Sequence, residues 1–154
     1  MCGIAGFNWE DKVLVKRMTS VLAHRGPDDS GFFVDNGVSL GHRRLSILDL
    51  SKKGKQPMFY SKKVGSCNDV FNKRFLSSAR VGVVFNGEIY NFKEIRKELR
   101  DKGYSFSTET DTEVILASYL EWGFDCVNRF NGMWAFCIWD KEKNIFFLSR
   151  DRLG

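Results

Sequence analysis

The sequence has few of the residues that build metal centres and disulfide frameworks. Its 154 residues include two His and four Cys, and no two of these cysteines form a C-x-x-C pair. This scarcity argues against a zinc site, and the irregular spacing of the cysteines is typical of proteins from a reducing compartment. We therefore predict that these residues bind no metal and that the protein is cytoplasmic.

Long apolar runs, an apolar leader and a compact Lys/Arg tract are also lacking. The sequence therefore predicts no signal peptide, no membrane span and no nucleic-acid-binding surface. The net charge of +5 is spread along the chain and is most simply explained by solubility. In contrast, 43% of the residues are hydrophobic and 14 are Phe, which argues against disorder. The length suits one domain with a sizeable core, which we assign to residues 1–154.

Apolar alternation and helical spacing divide the chain into strand pairs separated by helices. The predicted strands cover residues 4–9, 31–34, 38–42, 81–85, 133–139 and 144–149, and the predicted helices cover 13–23, 92–102 and 112–122. This order indicates an α+β domain with antiparallel sheets rather than a doubly wound parallel sheet. The basic residues of the second helix, Arg96 among them, predict a solvent-exposed face. Residues 60–80 are polar, and we predict an extended loop with room for one helical turn, with Phe71 and Phe75 one turn apart.

The first six residues, Met-Cys-Gly-Ile-Ala-Gly, contain a candidate nucleophile. The small side chain of Cys2 favours removal of Met1, which would leave a thiol and a free α-amine on one residue. An α-amine titrates near about pH 8, so it can accept the thiol proton and return it to a leaving group. His24 and His42 could each serve as a base instead, but a free amine makes neither necessary. The six residues alone are equally compatible with an ordinary buried Cys at the start of a strand.

Asn86 and Gly87 follow a predicted buried strand and could stabilise a negative charge. A tetrahedral oxyanion needs donors aimed at it, and a side-chain amide beside a backbone N–H supplies both. Asn-Gly is also the strongest short signal for a hairpin turn, and spacing alone favours the turn.

Charged residues further along the chain could bind the two ends of a zwitterion. Arg44 could hold a carboxylate through two parallel hydrogen bonds. Arg43 beside it weakens this prediction, since two adjacent arginines suggest that one of them is a surface charge. Glu88 and Asp111 could hold an ammonium group. Their alternatives are an acid at a strand end and a residue that favours the dipole at a helix start.

Five short motifs occur in a characteristic order. They are Met-Cys-Gly-Ile-Ala-Gly at 1–6, His-Arg-Gly-Pro-Asp at 24–28, Arg-Leu-Ser-Ile-Leu-Asp at 44–49, Asn-Gly-Glu-Ile-Tyr-Asn at 86–91 and Thr-Asp-Thr-Glu-Val-Ile at 110–115. Together they resemble the class II glutamine amidotransferase domain of the asparagine synthetase family. The likeness continues through 132–136 and 150–154, so it covers nearly the whole chain.

The resemblance implies a fold and a reaction. The fold is that of the N-terminal-nucleophile hydrolases, a four-layer α/β/β/α sandwich of two antiparallel sheets flanked by helices. Cys2 would attack the side-chain amide of glutamine, giving ammonia and then glutamate, with its own amine as base. The Asn86 side chain and the Gly87 N–H would stabilise the oxyanion.

The same resemblance implies a glutamine-binding pocket. Arg44 would hold the α-carboxylate, and Glu88 and Asp111 the α-ammonium group. The remaining predicted substrate-binding residues are Leu45, Ser46, Ile47 and Leu48. The motif at 24–28 is expected to support the site.

Family members continue beyond such a domain into an ATP-using synthetase domain, and no Ser-Gly-Gly pyrophosphate loop occurs in this sequence. We therefore expect the N-terminal part of a longer asparagine-synthetase-like protein. It would need no cofactor itself, with ATP and Mg²⁺ confined to a synthetase domain supplied in cis or in trans. Two alternatives stay open, a catalytically silent binding or assembly domain and an amidotransferase for cell-surface sugar biosynthesis. The oligomeric state is also open, a homo-oligomer included. Residues 60–80 are longer than the family needs, most simply as a surface insertion.

Overall fold

The computed structural model describes residues 1–69 and 72–154. The strands are β1 Gly3–Phe7, β2 Asp29–Asp35, β3 Val38–Arg44, β4 Met58–Ser61, β5 Gly65–Cys67, β6 Val81–Ile89, β7 Gly132–Asp140 and β8 Ile145–Arg150. The helices are α1 Lys12–Val21, α2 Lys73–Ser78, α3 Phe92–Asp101 and α4 Asp111–Trp122, with short 3₁₀ helices at Leu22–His24, Lys52–Gly54 and Gly123–Arg129. None of the helices in this described part of the chain is long and apolar enough to span a membrane.

The strands form two antiparallel sheets. The first has the order β1-β3-β2, and the second has the order β5-β4-β6-β7-β8. Phe33 and Leu40 of the first sheet pack with Val84 and Trp139 of the second in one buried apolar cluster. The two sheets therefore lie face to face, with a hydrophobic layer between them.

Helices cover the outer faces of both sheets. Leu99 of α3 and Ile115 of α4 pack with Val83 of β6 in a second apolar cluster. On the other side α1 lies against β3, where a Cβ on Gly41 would come within 2.1 Å of Thr19 Oγ1. The missing side chain of this glycine lets the helix approach the sheet closely. The predicted four-layer sandwich of two antiparallel sheets and flanking helices is confirmed.

Residues 60–80 differ from the predicted extended loop. β4 and β5 form a hairpin there, and β4 continues the second sheet by pairing with β6. The chain reverses with Gly65 at a φ of 87°, a conformation that favours glycine. The predicted helical turn is α2, whose Phe75 packs against the cluster between the sheets. Phe71 lies outside the described residues.

The prediction of a hairpin turn at Asn86-Gly87, which spacing alone favours, is wrong. β6 continues through both residues to Ile89 and pairs with β7 over its whole length. Gly87 has a φ of 150°, and a Cβ there would lie 2.1 Å from the carbonyl oxygen of Met133. Glycine is therefore needed for close approach of two paired strands, and long-range pairing overrides the local turn preference.

Candidate active site

A cavity of about 110 Å³ lies where the N-terminus, the end of β3, β6 and the start of α4 meet. The predicted site residues that line it are Cys2, Arg44, Leu45, Ile47, Leu48, Asn86, Gly87, Glu88 and Asp111. Ser46 is the predicted site residue missing from this lining. Its backbone N–H donates instead to Asp28 Oδ2 at 2.7 Å, which ties the pocket segment to the loop at 24–28.

Cys2 lies immediately before β1 and is half-buried. The Leu45 N–H donates to its Sγ at 3.4 Å, and Arg25 Nε donates to its carbonyl oxygen at 3.1 Å. The same sulfur lies 3.7 Å from the Leu45 carbonyl oxygen, so the backbone of Leu45 fixes the position of the thiol. Met1 also lines the cavity and is 54% exposed, so the bond before Cys2 is accessible.

The carboxamide of Asn86 projects from the part of β6 that borders the cavity. Its Oδ1 is buried, and within the described residues it has no hydrogen-bond partner. The side chain is thus not committed to the surrounding protein. Gly87 follows it in the strand and lines the same cavity.

Arg44, at the end of β3, presents a buried positive charge. Nη1 donates to the Ser51 carbonyl at 2.7 Å, and Nη2 donates to the Asp49 carbonyl. The loop turns closely around the guanidinium, since a Cβ on Gly54 would lie 2.2 Å from Nη2. The charge of Arg44 also acts on the carboxyl groups of Asp49 and Asp29. Within the described residues no carboxylate forms an ion pair with the guanidinium, so it can still bind a carboxylate of a ligand.

Asp111 and Glu88 place acidic groups on the cavity wall. Asp111 is the first residue of α4 and is 5% exposed, and its Oδ2 accepts a hydrogen bond from the Ile89 N–H at 2.9 Å. Burial raises the pKa of Asp111 to about 6, and the charge of Glu88 adds to this effect. The N–H groups of Ile89 and Thr112 oppose the shift. A bound cation would favour the ionised carboxylate at this site.

The loop at 24–28 packs beneath the pocket without entering it. The Asp28 N–H donates to the Arg44 carbonyl at 3.0 Å, and Arg43 Nε donates to the Gly26 carbonyl at 2.9 Å. His24 is near the surface, where its Nδ1 lies 3.1 Å from the Val21 carbonyl. This placement agrees with the predicted supporting role.

The prediction that Arg96 belongs to a solvent-exposed face is wrong. Arg96 is 4% exposed, its Nη2 donates to the Thr110 carbonyl and its Nη1 to Glu109 Oε2, each at 2.7 Å. It therefore fixes the start of α4 next to Asp111. The sequence carried a signal for this, because Arg96 lies at helical spacing from Phe92 and Leu99 on the apolar face of α3.

Two buried polar side chains contact the strand beside Asn86. Gln56 Oε1 accepts a hydrogen bond from the Phe85 N–H at 2.7 Å, and His42 Nε2 lies 3.2 Å from the Phe85 carbonyl oxygen. The sequence predicted no role for Gln56, and it offered His42 as an alternative base that a free amine makes unnecessary. Among the described residues, no group of three or more His, Cys, Asp or Glu side chains is arranged to hold a metal ion.

Comparison with known proteins identifies the family. A profile described as the glutamine amidotransferase domain matches residues 1–154. The chain belongs to the glutamine amidotransferase domain family. Three curated relatives are named as glutamine-hydrolyzing asparagine synthetases, from Methanocaldococcus jannaschii, Bacillus subtilis and Escherichia coli. They are 48%, 42% and 36% identical and cover 100%, 100% and 89% of this chain. The chain spans 30%, 24% and 22% of their respective lengths.

Solved structures support the fold assignment. A glutamine phosphoribosylpyrophosphate amidotransferase from Bacillus subtilis superposes with a TM-score of 0.70 at 17% identity, covering 98% of this chain and 37% of that chain. A regulatory enzyme of purine biosynthesis superposes with a TM-score of 0.53 at 20% identity, covering 79% of this chain and 25% of that chain. At such identities the likeness shows the fold alone, which is the N-terminal-nucleophile amidotransferase fold.

Proposed function

We propose that this amidotransferase domain hydrolyses glutamine to glutamate and ammonia, with Cys2 as the nucleophile. The observation that carries the proposal is one cavity lined by the half-buried thiol of Cys2, the Asn86 carboxamide, the Arg44 guanidinium and the carboxyl groups of Glu88 and Asp111, with Asp49 as a third acid. Those groups are complementary to the three polar parts of glutamine. They would contact its reacting amide, its α-carboxylate and its α-ammonium group.

The chemistry begins once Met1 is removed. The α-amine of Cys2 takes the thiol proton, and the thiolate attacks the side-chain carbonyl carbon of glutamine. The carbonyl oxygen becomes an oxyanion that accepts hydrogen bonds from the Asn86 side chain and the Gly87 N–H. Collapse of this intermediate breaks the C–N bond, and the protonated α-amine of Cys2 returns the proton to the departing ammonia. The γ-glutamyl thioester remains, and water, deprotonated by the same amine, releases glutamate and restores the thiol.

Substrate selection follows from charge. Arg44 would bind the α-carboxylate, and Asp111 with Glu88 would bind the α-ammonium group. Leu45, Ile47 and Leu48 would form apolar parts of the cavity wall. A neutral amide lacking either α-group would leave a buried charge unpaired, which is costly, so the site discriminates against it.

We further propose that the domain supplies ammonia to an ATP-using synthetase, in cis as the N-terminal part of a longer protein or in trans. The names of the relatives, and the small share of their length that this chain spans, support this arrangement. Aspartate is the acceptor that those names suggest. ATP and Mg²⁺ would act in the synthetase domain. The four free thiols are in keeping with a cytoplasmic location.

One observation favours a second candidate, a silent binding or assembly domain. Met1 lines the cavity, and if it were retained, its peptide bond would acylate the amine that acts as base. Measuring the intact mass of the protein distinguishes the two forms.

The test is glutamate release from glutamine by protein shown by mass to lack Met1. The wild type should release glutamate, and Cys2→Ala should abolish release while leaving the thermal unfolding midpoint nearly unchanged. The matched control is Cys67→Ala, which changes another half-buried free thiol and should retain activity. Equal rates in the wild type and Cys2→Ala would overturn the proposal.

A further inference from the structure

We propose that His42 and Gln56 are positioning residues for the oxyanion site, acting through the backbone of Phe85. They replace the strand that is missing beside this part of β6, and so hold Asn86 and Gly87 in the geometry that the reaction needs. This inference rests on the proposed glutamine hydrolysis, and it assigns a role to two residues outside the predicted site.

β4 lies beside only the first part of β6. β4 pairs with β6 from Tyr60 opposite Val81 to Met58 opposite Val83. Beyond Val83, β6 pairs with β7 alone. In an antiparallel ladder the N–H and C=O of successive residues point to opposite neighbours. Phe85, Gly87 and Ile89 therefore direct their backbone groups toward the side that β4 does not reach.

Side chains form the hydrogen bonds that a strand would otherwise make to these backbone groups. The Phe85 N–H donates to Gln56 Oε1 at 2.7 Å, and its carbonyl oxygen lies 3.2 Å from His42 Nε2. The Ile89 N–H donates to Asp111 Oδ2 at 2.9 Å. Gly87 lies between these two fixed points and borders the cavity. Apart from strand pairing, none of the described residues bonds to its N–H, which leaves that donor for the substrate.

The side chains of His42 and Gln56 are both buried and both hydrogen-bonded to Phe85. His42 and Gln56 are 1% and 5% exposed, and buried polar groups are costly unless they are hydrogen-bonded. His42 belongs to β3 in the first sheet and Phe85 to β6 in the second, so the contact joins the two sheets at Phe85, which lines the cavity together with Gln56. Burial lowers the pKa of His42 to about 4, so the ring is neutral at pH 7. A hydrogen bond to the Phe85 carbonyl oxygen requires the proton on Nε2, which leaves the buried Nδ1 without a partner among the described residues.

The experiment compares His42→Leu and Gln56→Met with Leu40→Ala. Both test substitutions keep approximate volume and remove the hydrogen bond to Phe85. Leu40→Ala removes buried apolar contacts from the same strand as His42, so it provides a control for lost stability alone. We expect kcat for glutamate release to fall about 10- to 100-fold in each test variant, with KM changing less than about threefold.

Two further readouts separate positioning from stability. His42→Gln places an amide N–H near the position of Nε2 and should recover most of the lost kcat. Hydrogen exchange of the Phe85 amide should be at least about tenfold faster in Gln56→Met than in Leu40→Ala at matched stability.

The outcomes are distinct. If both test variants lose no more kcat than Leu40→Ala, and Phe85 exchange matches that control, the inference is wrong. If the mature wild type releases no glutamate, the proposed function fails instead, and the exchange measurement still decides whether these side chains hold the strand.

Discussion

The two halves of β6 are completed in different ways. Residues 81–83 have a strand on each side, β4 and β7, and their neighbours are ladder partners. Residues 85–89 have β7 on one side and side chains on the other, from Gln56, His42 and Asp111. A continuous ladder would use every backbone donor. Where side chains replace the ladder, the backbone groups of Phe85 and the Ile89 N–H are hydrogen-bonded, and the Gly87 N–H is left for the substrate. The cavity lies against this second half of β6.

Among the variants that test the difference between the two halves, we expect the largest loss of kcat from Gly87→Ala. Its Cβ would lie 2.1 Å from the Met133 carbonyl oxygen at a φ of 150°, so the strand must shift and move the N–H donor. We expect kcat for glutamate release to fall about 10³-fold or more.

The matched control is Gly82→Ala, in the half paired on both sides. Its Cβ would lie 2.5 Å from the ring of Phe59, so it should also lower stability. Per folded molecule, however, kcat should stay within about threefold of the wild type, measured as glutamate release normalised by circular dichroism. Equal losses from both glycine variants would contradict a functional difference between the two halves.

Asn86→Ala comes next in size. It removes one oxyanion donor and leaves the strand in place, and losing such a donor costs about 10²- to 10³-fold in kcat. KM should change little, because the interaction strengthens only in the transition state. Steady-state kinetics with glutamine give both constants. A rise in KM at unchanged kcat would assign Asn86 to ground-state binding.

Arg44→Lys should have a smaller effect, mainly on KM. Lysine keeps the charge but cannot form the two parallel hydrogen bonds to a carboxylate, so we expect KM to rise about 10- to 50-fold. Arg43→Lys is the control, because Arg43 bonds to the Gly26 carbonyl and does not line the cavity. A similar KM for both variants would argue against the assigned carboxylate contact.

The smallest effect concerns pH. The pKa of Asp111 is raised to about 6, so the carboxylate that binds the α-ammonium group is lost as pH falls through that value. KM for glutamine should therefore rise up to about tenfold per pH unit below about 6. In Asp111→Asn, KM should be high at pH 7 and nearly flat between pH 5 and 7. An unaltered pH profile in this variant would exclude Asp111 as the titrating group.

The same carboxyl also affects stability, with a definite sign. Its pKa is higher in the fold than the ordinary value of 3.8, so the folded state favours the protonated form. Its contribution to the free energy of unfolding is most favourable at low pH and falls as pH rises through about 6. Urea unfolding of the wild type and Asp111→Asn at pH 4 and 7 should show this difference, with the variant relatively more stable at pH 7.

Local patterns explain which parts of this fold and site could be predicted. Thr110 caps α4 as its sequence indicates, by accepting a hydrogen bond from the Glu113 N–H at 3.3 Å. Nine of the ten residues that the short motifs assigned to the site line the cavity, whereas Gln56 and Phe85, which also line it, were not predicted. The β4–β5 hairpin was missed because β5 is three residues long and polar, which gives no clear alternation.

Long-range contacts explain the remaining failures. Asn86-Gly87 has the local signature of a turn, and only pairing with β7, more than forty residues away, makes it strand. Gln56 and His42 reach Phe85 across 29 and 43 residues of sequence. No periodicity or spacing reports such contacts, so their role emerges only from the folded chain.

The central claim, a γ-glutamyl thioester on Cys2, is tested most directly by turnover in the presence of hydroxylamine. This nucleophile competes with water for the thioester, so mature wild-type protein should form γ-glutamyl hydroxamate at the expense of glutamate. The product should be absent with Cys2→Ala and with protein that retains Met1. Hydroxamate formation that persists in Cys2→Ala, or glutamate release that hydroxylamine never diverts, would contradict covalent catalysis by this residue.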